Sequence, residues 1–159
     1  MSRPYISVEI DRNVRSMAKN RCGYCLSPQK LVMARLEIEH IIPVYKGGSS
    51  EESNLWLACP ICNSHKAGKI EAINPVTNEV VALFNPRTQV WVEHFAWAED
   101  GICILGKTAT GRATMKALSL DSDFDALEVR NYWVQVGWHP PREWFQAVEY
   151  DLQNKNIYF

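Results

Sequence analysis

The chain has 159 residues, 47% hydrophobic and 22% charged, with a net charge of −1. That composition suits a globular protein of one domain, or a small core with an appendage. No apolar run approaches the ~20 residues a membrane helix needs, and the first residues lack the apolar stretch of a secretion signal. A cytoplasmic protein is expected, with no membrane contact. In that reducing compartment paired cysteines hold metals more often than disulfides.

Charge is uneven along the chain. Residues 1–70 hold ten Lys/Arg against six Asp/Glu, and residues 71–159 hold seven against twelve. The positive surplus lies in the half that also carries the cysteine pairs, which suits a phosphate backbone.

Residues 1–8 read as an arm or edge strand, with Pro4 and alternating Ile6 and Val8. From Ile10 to Asn20 the period becomes helical, with Ile10, Val14, Met17 and Ala18 on one face. Arg12, Arg15 and Lys19 fall elsewhere, as a solvated face or one that touches DNA. Gly23, between Cys22 and Cys25, gives the backbone freedom to wrap sulfurs around a metal. Leu36 to Ile42 alternates as a short strand. Pro43 and Gly47-Gly48-Ser-Ser form an open loop, Leu55-Trp-Leu57 a second strand, and Pro60 sits at the first turn of a helix running to about Ile70.

Past residue 71 the pattern turns toward β. Residues 74–79 signal a turn, and strands are expected over Val80–Phe84 and Val90–Trp97. Asp100-Gly101 signals a hairpin before Ile102–Leu105. Helices are expected over Thr108–Leu118 and Phe124–Val136, then a short one from Pro141 with Trp144, Phe145 and Val148 on one side. No repeat, low-complexity segment or linker separates the halves, so 71–159 should pack on 1–70.

Cys22-x-x-Cys25 and Cys59-x-x-Cys62 offer four thiolates to one tetrahedral Zn²⁺, a closed and therefore structural site. Thirty-three residues separate the pairs, more than a zinc ribbon needs, so a folded insertion lies between them. Cys103 stands apart as a core residue. The insertion carries Glu39-His40, a carboxylate for a hard cation beside a base whose pKa lies near working pH. Adjacent strand residues point oppositely, so a bend at the strand end is needed for both to face one site.

The order C-x-x-C, E-H-I-I-P, Gly-Gly, N-L-W-L-A-C and C-x-x-C-N-x-x-K across residues 22–66 resembles the HNH (His-Asn-His/Asn) family of ββα-metal endonucleases. The resemblance implies an α+β fold: a ββα-metal core stapled by a four-cysteine zinc site, with a C-terminal β-hairpin and helices packed on it. It implies DNA cleavage with Mg²⁺ or Mn²⁺, His40 as general base, Asn54 as the residue that fixes the loop and orients the base, and Glu39 and Asn63 as cation ligands. Two positions depart from the commoner pattern. Glu39 stands where Asp is usual, and Asn63 stands where many members have His. Residues from Asn85-Pro-Arg87 through Trp91 to Phe95 also look like an extension found in some bacterial members.

His65 competes with Asn63 as ligand. The two point roughly 200° apart on a helix, and the family pattern favours Asn63. His65, Lys66 and Lys69 are then the nucleic-acid-facing residues of that helix, with an ordinary solvated lysine as the other reading of Lys66. His94 and His139 read as structural histidines. Expected partners are DNA, with RNA left open, and a protein partner or second copy at the aromatic-rich C-terminal half. The rival readings are a catalytically silent zinc module, and a nuclease subunit of a restriction or phage-defence assembly.

Overall fold

The computed structural model describes residues 4–141. Helix α1 (Val8–Met17) starts two residues before the expected point because Ser7 caps it, its hydroxyl accepting from the Ile10 amide at 3.2 Å. Residues 4–7 form no strand and Val8 already belongs to the helix, which corrects the edge strand that was one of the two readings of residues 1–8. Val14 and Ala18 are buried as expected, whereas Met17 is exposed. On the polar side Arg15 pairs with Asp11 one turn back at 2.7 Å and donates to the Leu36 carbonyl at 2.8 Å.

Lys19 and Asn20 turn the chain in the left-handed region, and the segment from Cys22 to Leu26 follows as a tight knuckle. Gly23 has a different use from the one expected. Its φ is not positive; a side chain there would strike the Trp56 ring and Pro86, so the residue is chosen for close approach. Strands β1 (Glu37–His40) and β2 (Leu55–Ala58) form an antiparallel hairpin in which Glu37 faces Ala58 and His40 faces Leu55. Helix α2 (Pro60–Lys66) follows at once, with Cys59 at its N-cap and Pro60 in the first turn.

Among the described residues, the second half is built from two more hairpins and three helical segments. Strand β4 (Val80–Ala82) pairs with β3 (Glu71–Ile73), which was not expected. The expected strand over Val90–Trp97 divides into a helical turn, α3 (Trp91–His94), and strand β5 (Phe95–Trp97). Strand alternation would have turned Glu93 inward with Trp91 and Phe95. The helical turn buries both aromatics, their ring centroids 5.3 Å apart, and leaves Glu93 in solvent. Strand β5 pairs with β6 (Ile104–Gly106) across the anticipated Asp100-Gly101 turn. Helices α4 (Ala109–Ala117) and α5 (Phe124–Gln135) lie where periodicity placed them, capped by Thr108 and Asp123. The expected helix after Pro141 lies outside the described residues.

One core joins the halves. Tyr24, Leu36 and Leu57 from the first are clustered with Phe84, Trp91, Phe95, Ile104 and Leu118 from the second. The Trp91 indole donates to the Tyr24 carbonyl at 2.8 Å, so the extension grips the knuckle directly. At the far end His139 is buried edge-on against Trp97 and Trp133. Burial, with Arg130 nearby, lowers its pKa from 6.5 to about 4.

Between those values the unfolded chain binds a proton there that the folded chain does not. Stability from this residue is therefore present above pH 6.5 and lost as pH falls toward 4. Melting measured from pH 7 to pH 4 should show a steeper decline for the native protein than for His139→Phe; parallel curves would refute the buried neutral imidazole.

Candidate active site and metal centre

The four sulfurs of Cys22, Cys25, Cys59 and Cys62 lie within 4.8 Å of one another, and all four residues are buried. The Cys25 and Cys59 sulfurs are 3.7 Å apart. A tetrahedron with metal–sulfur bonds of ~2.3 Å has edges of about 3.8 Å, so the donor set fits a closed metal site. Burial pushes the Cys22 thiol up. Hydrogen bonds from Cys22, Cys59 and Cys62 lower that of Cys25. Cys103 stays outside the cluster, its sulfur near the Asp121 carbonyl.

The loop from Ile41 to Asn54 is fastened across its middle by the Asn54 side chain. Asn54 accepts from the Ile42 amide at 2.9 Å and donates to the Ile42 and Ser49 carbonyls at 2.9 and 2.8 Å. Gly48 is required beside it, because a Cβ there would overlap the Ile42 carbonyl. With Ser49 pinned, the next residue, Ser50, sets its hydroxyl 2.9 Å from His40 Nε2. Asn54 thus reaches His40 through the loop and not by direct contact. Ser50 was not singled out from the sequence; its only signal was its place in the Gly-Gly-Ser-Ser stretch.

No bend intervenes before His40, which still pairs in register with Leu55. Alternation therefore separates it from Glu39: Glu37 and Glu39 face α2, and His40 faces the other way. The Glu39 carboxylate, expected at a cation, instead accepts from the Tyr24 hydroxyl and lies 3.1 Å from Lys66 Nζ. Both partners of that ion pair are 2% exposed along the side chain. Burial raises the Glu39 pKa against the opposing pull of Lys66 and Tyr24. Lys66, expected at a phosphate or in solvent, is enclosed, and also donates to the His40 and Ile41 carbonyls at 3.3 and 3.1 Å.

Asn63 donates to Glu37 Oε2 at 2.5 Å. The i, i+2 relation of Glu37 to Glu39 was the available sequence signal for this contact. His65, expected to face nucleic acid, points toward α5, its Nε2 2.8 Å from Asp123 Oδ2, and so fastens two helices. Lys69 is exposed and donates to the His65 carbonyl at 2.7 Å. Arg87 of the Asn85-Pro-Arg87 segment lies over the Trp56 ring at 5.5 Å and approaches Glu52 at 3.6 Å, bracing the outer side of β2 and the turn that carries Asn54.

Removing one member of a buried ion pair strands the other, at a typical cost of about 3–5 kcal/mol, whereas an apolar replacement of both is often neutral. Lys66→Met should therefore lose about 3–5 kcal/mol in denaturant unfolding, and Glu39→Gln/Lys66→Met should recover most of that loss. A double variant as unstable as the single one would show that the pair is not coupled.

Residues 22–69 match the family model described as HNH endonuclease. No curated protein and no solved structure matches the chain. With its cysteine cluster, its antiparallel hairpin and the helix closing on it, the segment 22–69 is a domain of the HNH endonuclease family.

Proposed function

We propose that the protein is a divalent-cation-dependent endonuclease that hydrolyses DNA phosphodiester bonds, with His40 taking the proton from the attacking water. The observation that carries this reading is the His40–Ser50–Asn54 arrangement inside the matched HNH segment. His40 is half-buried, with Nε2 2.9 Å from the Ser50 hydroxyl, and histidine is the side chain most often used to take a proton from water near neutral pH. Ser50 and the loop fastened by Asn54 restrict how that ring can turn.

Glu39 and Asn63, the cation ligands that the family resemblance implies, carry hard oxygen donors that suit Mg²⁺ or Mn²⁺ better than softer metals. Such a cation, when bound, offsets charge on the phosphate and on the leaving oxygen. In this reading the four thiols hold Zn²⁺, which staples the knuckle to α2 and does no chemistry. Keeping those thiols reduced suits a cytoplasmic setting. Nucleic-acid contact falls to exposed basic residues, Lys69 on one side of the site and Lys46 on the loop beyond His40. Recognition through backbone charge makes binding sensitive to salt and weakly selective for sequence.

Supercoiled plasmid incubated with Mg²⁺ or Mn²⁺ should be nicked or linearised by the native protein, and His40→Ala should slow this by about 10²–10⁴-fold while leaving melting unchanged. No product from the native protein with either cation, on DNA or on RNA, would reduce the domain to a binding module. Cys59→Ser should lower bound zinc and the melting temperature together, measured by metal analysis and calorimetry; an unaltered zinc content would refute the structural site.

A further inference from the structure

Beside α5 lies an apolar groove of about 340 Å³. Its floor is buried: Cys25 and Cys59 of the thiol cluster, with Leu118 and Leu120 from the stretch before α5. The segment from Leu31 to Ala34 lines it, as does the side of α5 that carries Ala126, Val129 and Trp133. No residue of the loop from Ile41 to Asn54 does, so the side that presents His40 is a different one.

Apolar surface continues outward from the groove. Met33 stands fully exposed at its rim, and Val129, Tyr132 and the C-cap residue Val136 are exposed along one stripe of α5. A continuous apolar patch on a charged surface marks a place where another molecule sits.

Charge is divided between the two ends. Asp125 and Glu128 are exposed in the first turns of α5. Lys30, next to the groove residue Leu31, is exposed at the other end, where it borders a second cavity with Gly137 and Trp138 just past the helix. Among the described residues none of these three charges belongs to an ion pair. A purely basic or purely acidic partner would match one end of the groove and oppose the other. A second copy, turned about a two-fold axis perpendicular to α5, matches both: acidic end meets basic end twice over. The same rotation runs the two helices antiparallel and lays one apolar stripe against the other.

We propose that two copies of this chain pair through the α5 groove, with Lys30 of each facing Asp125 and Glu128 of the other. The pairing goes beyond the nuclease reading and does not rest on it. Sedimentation velocity of the zinc-loaded protein, run across a wide range of concentration, should show twice the mass of one chain and return to a single chain on dilution. Val129→Lys, a change at an exposed position, should weaken self-association about tenfold or more while the circular dichroism spectrum stays that of the native fold. Lys30→Glu by itself, and Asp125→Lys/Glu128→Lys by itself, should each sediment as single chains, because like charges then meet at both ends. Mixed in equal amounts, these two variants should pair, since the charges are again opposite at both ends.

A native protein that stays single at every concentration would overturn the proposal and give the groove to a different partner. Self-association that survives Val129→Lys, or charge variants that fail to pair on mixing, would overturn it too.

Discussion

The convergence of four cysteine sulfurs holds this small structure in shape. Cys22 and Cys25 come from the knuckle after α1, and Cys59 and Cys62 from the junction of β2 with α2. Drawing those points within 4.8 Å forces the helix to turn back over the hairpin at once. It also brings Tyr24, which lies between the first two cysteines, under β1. A ββα unit of this size has little apolar area to bury, and a metal bound to the folded form adds its binding free energy to folding.

Under that staple lies a buried charge pair, an expensive thing to place in a small core. Lys66 joins strand to helix through one carboxylate and two backbone carbonyls, so the end of β1 that presents His40 is tied to the last turn of α2. An apolar side chain could fill the same space but could not donate to those carbonyls. The pair thus acts on geometry, fixing the end of β1 against α2.

The extension beyond residue 70 acts as a brace. Trp91 donates into the knuckle, Arg87 covers Trp56 on the outer side of β2, and His65 on α2 meets the cap of α5. These contacts approach the hairpin and helix from several sides while the loop from Ile41 to Asn54 is held by its own asparagine. A short hairpin alone is marginal in water. Here it gains rigidity from residues far along the chain that take no part in the proposed chemistry.

What was legible in the amino-acid sequence was whatever local spacing encodes. Two C-x-x-C pairs specify a shared metal site because thiolates at that spacing can close on one ion. Pro60 marks the start of α2, the 3.6-residue periods mark α4 and α5, and Asp100-Gly101 marks the last hairpin. The order of motifs across residues 22–66 was enough to recognise the HNH family, whose model matches residues 22–69. Only the tertiary structure decided the directions of side chains. Lys66 went inward and His65 toward α5, because each found a carboxylate there: Glu39 on the earlier strand, and Asp123 far along the extension. Trp91–His94 coiled instead of extending because two aromatics had to be buried and one glutamate had to remain wet. Such outcomes depend on partners distant in sequence, and a local pattern carries the residue's chemistry without the address of the group that will meet it.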